Sequence, residues 1–187
     1  MLRCYITDRK LLPAGLNLLD VIARNLQAGV EWIQIREKDL STRELYDLVA
    51  RAVALPRPAG AKILVNTRVD VALAAGADGA HLPVNSPPPS SWKRIAPAGF
   101  QFGVSCHTLS ELHRAQDEGA HYAVFGPVFA PRSKTSDLTP RGLVGLSAAA
   151  RSVKIPLLAL GGIAEENAQN CVDAGAAGVA AISMFQS

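Results

Sequence analysis

The chain has 187 residues, 49% of them hydrophobic and with no low-complexity tract, which is enough for a sizeable buried core and sits at the low edge for an eight-fold barrel. Its 19 basic and 16 acidic residues leave a net charge of only +3. The basic residues are scattered, so there is no electrostatic footprint for nucleic acid, while a pI near 8.9 suits an anionic small molecule.

From end to end, short apolar runs rich in β-formers alternate with longer helical patterns. The first strand is expected at Arg3–Thr7, directly after Met1-Leu2, with no signal-peptide layout before it. Leu16–Ala28 follows, with Leu18, Leu19, Ile22 and Leu26 at helical spacing. A strand at Val30–Arg36 leads to Ser41–Ala54, opened by a capping box in which Glu44 reaches back to Ser41. Next come strand Lys62–Asn66, helix Val69–Ala75 and strand Gly79–Leu82. Pro83–Pro97, with three consecutive prolines, is the weakest helical stretch and reads as little more than a turn. Strand Gln101–Ser105, helix Leu109–Glu118, strand Tyr122–Gly126, helix Leu143–Arg151, strand Pro156–Leu160, helix Glu165–Ala174 and strand Gly178–Ser183 complete the series.

Ala28-Gly29-Val30, Ala75-Gly76-Ala77, Glu118-Gly119-Ala120 and Ala174-Gly175-Ala176 each close a helix and enter a strand, a repeat signature of βα units. Eight strands alternating with helices predict a closed parallel sheet, a single (β/α)8 TIM-barrel domain over residues 1–187. A doubly wound open sheet is the alternative, and no Gly-x-Gly-x-x-Gly turn follows the first strand to support it. The eighth helix is missing or truncated, because the chain stops four residues after Ser183. With Cys4, Ile6, Val179 and Ala181 expected on the outer face, that flank should present apolar surface, covered by a second subunit as in a homodimer or marking a truncated chain. No apolar stretch approaches the roughly 18–20 residues of a membrane span. Cys4, Cys106 and Cys171 are sparse and unpaired in spacing, which points to reduced thiols and a cytoplasmic home.

A barrel places its active site at the C-terminal ends of the strands. Gln34-Ile35-Arg36-Glu37-Lys38-Asp39 ends the second strand, and alternation puts Gln34, Arg36 and Lys38 on one face. An amide and two cations in a barrel mouth suit a phosphorylated ring; the bland reading is a salt-bridge layer in which Arg36 neutralises Glu37 or Asp8. Gly161-Gly162 and Ile182-Ser183 follow the seventh and eighth strands, where barrels frequently bind phosphate on backbone amides; the bland reading there is a tight turn. Ala164 leaves the seventh helix without a strong N-cap. Cys106-His107 does not form a nucleophilic dyad, because adjacent side chains leaving a strand diverge. His81, His113 and His121 share no metal-ligand spacing, and Trp32 and Phe125 read as packing.

Tyr5-Ile6-Thr7-Asp8, Gln34 to Asp39, Val65-Asn66-Thr67-Arg68-Val69-Asp70, Gly76 to Leu82, Gly103 to Thr108, Phe125-Gly126-Pro127-Val128-Phe129, Gly161-Gly162-Ile163 with Glu166-Asn167-Ala168, and Ala174-Gly175-Ala176 occur in an order and spacing that resemble the thiamine phosphate synthase/TenI family over nearly the whole chain. The synthases join a hydroxymethylpyrimidine diphosphate to a thiazole phosphate and release diphosphate. The resemblance implies that Gln34, Arg36, Lys38 and Asn66 hold the pyrimidine diphosphate, that Ser105 and Lys134 contact the leaving diphosphate as the catalytic pair, and that Ser133, Gly162, Ile182 and Ser183 hold the thiazole phosphate. The family's magnesium would be carried by two aspartates, but Thr67 and Ser86 stand at those positions, so no metal ligand is assigned. The phosphate loop is altered to Ala130-Pro131-Arg132-Ser133-Lys134. TenI-type tautomerases also lack the two aspartates but place a histidine where this chain has Pro127. A probable-transferase reading, synthase-like, therefore stands first; a TenI-type tautomerase and a non-catalytic thiazole or thiamine phosphate-binding barrel are the alternatives.

Overall fold

The computed structural model describes residues 1–130 and 139–186. Eight parallel strands run β1 (Leu2–Ile6), β2 (Trp32–Ile35), β3 (Lys62–Asn66), β4 (Gly79–Leu82), β5 (Gln101–Cys106), β6 (Tyr122–Phe125), β7 (Leu157–Leu160) and β8 (Gly178–Ala181). They pair in sequence order and close on themselves, with Leu2 opposite Gly178 and Cys4 opposite Ala180. The expected TIM-barrel architecture is the observed one. Helices α1 (Leu18–Gln27), α2 (Thr42–Val53), α3 (Val69–Ala74), α5 (Leu109–Asp117), α6 (Gly142–Ser152) and α7 (Glu165–Asp173) alternate with the strands. Pro83–Pro97 holds a single helical turn, α4 (Pro89–Trp92), because the prolines remove the amides a longer helix needs. The capping box at Ser41 forms as expected, and Thr108 with Glu111 makes a second at the start of α5.

Burial divides into two layers. Cys4, Ile6, Trp32, Leu64, Tyr122, Val124, Leu158 and Ala180 pack together as the barrel interior. Tyr5, Ile33, Ile35, Ile63, Val65, Val179 and Ala181 belong to the larger layer between strands and helices. Trp32 is thus interior packing and Phe125 outer packing.

Two expectations about the last flank are corrected. Cys4 and Ile6 face the interior and Tyr5 faces out, because a strand's phase is set by its neighbours' register, which a five-residue run does not reveal. The flank is also not an exposed apolar patch. No helix follows β8 among the described residues, but a 3-10 turn at Ser183–Phe185 folds back. Phe185 packs at 5.7 Å from the Tyr5 ring, the Arg3 guanidinium lies over the Phe185 ring at 5.3 Å, and Asn25 Nδ2 donates to the Phe185 carbonyl. Gln186 Nε2 donates to Tyr5 Oη and to the Asp8 carbonyl. Tyr5 and Val179 are fully buried as a result, so the observation that called for a covering subunit falls away.

Candidate functional site

The charged residues that follow β2 are sorted by their partners. Glu37, only 5% exposed, accepts from Thr7 Oγ1 at 2.6 Å, from the Arg9 amide and from Arg9 Nη1 at 3.0 Å. Asp39 takes both Arg9 guanidinium nitrogens and Lys10, and those bonds hold its carboxyl well below the usual range. Arg36 and Lys38 form no ion pair among the described residues. The reading in which Arg36 neutralises Glu37 or Asp8 is corrected: Arg9, a residue that spacing did not single out, occupies Glu37. Arg36 is instead close enough to His81 inside the barrel for its charge to disfavour a proton there.

Gln34 lies on the inner phase of β2 at 1% exposure, and its Nε2 has no hydrogen-bond partner among the described residues. A buried amide left unpaired is costly, and its natural partner is a ligand acceptor or a water. Lys38, Asn66, Thr67 and Arg68 line a cavity of about 270 Å³ with Ile35, Glu37, Leu40 and Leu45. Thr67 sits at φ 61°, and its hydroxyl donates to the Asn66 carbonyl.

Ser105 ends the inner phase of β5, half-buried, with Oγ 2.8 Å from His81 Nε2. His81 lies within β4, the strand expected at Gly79–Leu82, and is 3% exposed, but its role was not singled out. The available signal was a lone polar side chain in an apolar four-residue strand. Cys106 points the other way: it is buried, and burial pushes its thiol up to about 12. His107 turns its Nδ1 to the Gly126 carbonyl at 2.6 Å, so the two form no dyad.

At the β7 and β8 turns, the amides of Gly162, Ile163, Ser183 and Met184 have no hydrogen bond among the described residues. Free amides at βα turns are what a phosphate group needs. Gly162 has φ 63°, and any Cβ there would press on Phe129 and the Ala130 carbonyl, so glycine is required. Ala164 provides no side-chain cap; Asn167 compensates by accepting from the Ala164 amide and donating to the Gly162 carbonyl. Ile182 packs against the interior cluster beside this turn. Ser133 and Lys134 lie outside the described residues.

The described residues of the site do not fit a magnesium ion. Thr67 and Ser86 are the residues at the two expected positions, and Ser86 Oγ donates to the Pro87 carbonyl. The carboxylates nearby are engaged: Glu37 and Asp39 by Arg9, Asp70 by Arg68. No cluster of three His, Cys, Asp or Glu side chains exists among the described residues. No described helix is long and apolar enough to cross a membrane.

The model of the family described as thiamine monophosphate synthase matches residues 4–185. The thiamine-phosphate synthase of Chlorobium luteolum is 39% identical over 180 residues, covering 96% of this chain and 82% of that protein. The thiamine-phosphate synthase of Albidiferax ferrireducens is 39% identical over 185 residues, 97% and 83% of the two chains. Among solved structures, the thiamine phosphate pyrophosphorylase of Pyrococcus furiosus superposes with a TM-score of 0.86 at 36% identity, covering all of this chain and 88% of that one.

Proposed function

Because the chain belongs to the thiamine monophosphate synthase family, we propose that its barrel mouth joins a hydroxymethylpyrimidine diphosphate to a thiazole phosphate, forming thiamine phosphate and releasing diphosphate. The observation that carries this reading is the charge sorting at the end of β2. Arg9 removes Glu37 and Asp39 from the mouth electrostatically and leaves Arg36 and Lys38 as cations without a described counter-ion.

In this reaction the bond from the pyrimidine methylene to the diphosphate oxygen breaks. Its electron pair leaves with diphosphate, and the thiazole nitrogen lone pair forms the new C–N bond. Charge therefore develops on the leaving oxygen. Arg36 and Lys38 stabilise it there, Ser105 and Lys134 complete the contact, and fixed donors aimed at developing charge are the strongest device available. Gln34 Nε2 meets the pyrimidine edge beside Asn66, which satisfies the orphaned amide. The free amides at Gly162 and Ser183, with Ile182 and Ser133, hold the thiazole phosphate. Thr67 and Ser86 stand where the family's two magnesium aspartates would be, so the protein's own cations carry the leaving-group charge.

A tautomerase reading finds less support, since Pro127 offers no titrating group at the position its histidine would take. The substrate is small, phosphorylated and heterocyclic, and residues 1–187 act as one barrel unit in the cytoplasm. The test is incubation with both substrates, with and without magnesium, following thiamine phosphate. Product without magnesium, lost by about 100-fold or more in Arg36→Ala, is expected. No product under either condition, with both ligands bound, would leave a binding barrel in its place.

A further inference from the structure

A hydrogen-bonded column runs through the barrel interior beneath the mouth. His81 Nδ1 lies 3.0 Å from Tyr122 Oη, and His81 Nε2 lies 2.8 Å from Ser105 Oγ. Tyr122 is wholly buried against Trp32, with ring centroids 4.6 Å apart. Its ring occupies space that Gly103 alone leaves open, since a Cβ there would collide with it. Ser105, at the upper end, is half-buried at the mouth.

Two proton arrangements fit these distances. In one, the phenol donates to Nδ1, the ring proton sits on Nε2, and Nε2–H donates to Ser105 Oγ. In the other, Ser105 donates to Nε2, Nδ1–H donates to Tyr122 Oη, and the phenol hydrogen is left with no acceptor. His81 is the hydrogen-bond partner of Tyr122 Oη among the described residues. The second arrangement therefore strands a donor in apolar surroundings, where an unmade hydrogen bond is most costly. The first satisfies every group and leaves the Ser105 hydrogen unclaimed among the described residues. Burial and the Arg36 charge also keep the ring neutral, with a pKa depressed to about 4.

We propose that Tyr122 and His81 are positioning residues that fix Ser105 as a dedicated hydrogen-bond donor to a diphosphate oxygen in the barrel mouth. Without the phenol, the histidine lone pair would compete with the anion for the serine hydrogen. With it, the ring can only donate to Ser105 from below. The inference rests on the reading of the mouth as a diphosphate site but not on turnover.

Two measurements on the full chain test it. Long-range 1H–15N spectra of His81 should show a protonated Nε2 and a bare Nδ1; a protonated Nδ1 would overturn the proposal. Titration with inorganic diphosphate should show about tenfold weaker binding for Ser105→Ala and for Tyr122→Phe. In the Ser105→Ala background, Tyr122→Phe should weaken binding no further, because its effect passes through that hydroxyl. An equal loss in both backgrounds would mean that Tyr122 acts on the fold instead, and the idea fails. The spectra need no variant, so refutation remains open even where Tyr122→Phe does not fold. A protein that binds diphosphate with the expected ring state but makes no thiamine phosphate supports the column and removes the synthase reading.

Discussion

Thr67 holds a left-handed backbone conformation, φ 61°, that a β-branched residue adopts at a cost of roughly 1–2 kcal/mol. Asparagine tolerates that region, so Thr67→Asn should raise stability by about 1 kcal/mol, read as a higher urea midpoint with an unchanged slope. The same backbone would accept aspartate. Thr67→Asp with Ser86→Asp supplies two carboxylates, and the double variant should gain magnesium-stimulated turnover; unchanged magnesium dependence would count against an otherwise intact site. His81 makes a separate prediction. Its pKa falls from 6.5 unfolded to about 4 folded, so above pH 6.5 both states are neutral and it contributes no slope. Between 6.5 and 4 the unfolded chain takes up a proton that the folded chain refuses, and stability falls as pH falls. The loss approaches about 3 kcal/mol at the lower limit. His81→Gln should flatten unfolding free energy against pH across that window.

Elements here end on side chains borrowed from elsewhere in the chain. The turn after β1 is held by Glu37 of the β2 end, which gathers Thr7 and Arg9. Arg9 is one-third exposed, so solvent screens the pair, and Glu37→Ala should cost about 2 kcal/mol. It should also free Arg9 near the mouth and weaken diphosphate binding less than Arg36→Ala does. At α7, Asn167 replaces the cap that Ala164 cannot provide and clamps the Gly162 carbonyl. Asn167→Ala should cost about 1 kcal/mol in thermal stability. Because it also loosens the glycine turn, KM for the thiazole phosphate should rise while kcat changes little.

At the scale of the whole barrel, the Ser183–Phe185 turn covers the flank between β8 and β1 among the described residues. Phe185 is 4% exposed and sits between Tyr5 and Arg3. Phe185→Ala should cost about 3 kcal/mol and expose the outer face of β1 and β8, which light-scattering would register as association. A variant as stable and monodisperse as the parent would show that the turn is dispensable. Closure also brings the end of β2 and the β7 turn, three strands apart around the ring, to the same rim.

Strand–helix alternation, the glycine junctions and the Ser41 capping box depend on local sequence, and all three were legible there because propensity and capping act within a few residues. The phase of Gln34 followed from a strand's alternation, but β2 ends at Ile35, so the period of two does not extend to Lys38, which lies in a turn. Which phase faces inward is not local. Cys4, Tyr5 and Ile6 are all apolar enough for either side, and only pairing with Trp32 and Ala180 decides between them. Arg9 on Glu37, His81 between Tyr122 and Ser105, and Phe185 on Tyr5 join residues 24 to 180 positions apart. Such contacts have no signature in spacing. Closing the barrel creates them, because it brings every strand end to one rim and leaves buried polar groups no partner but one another.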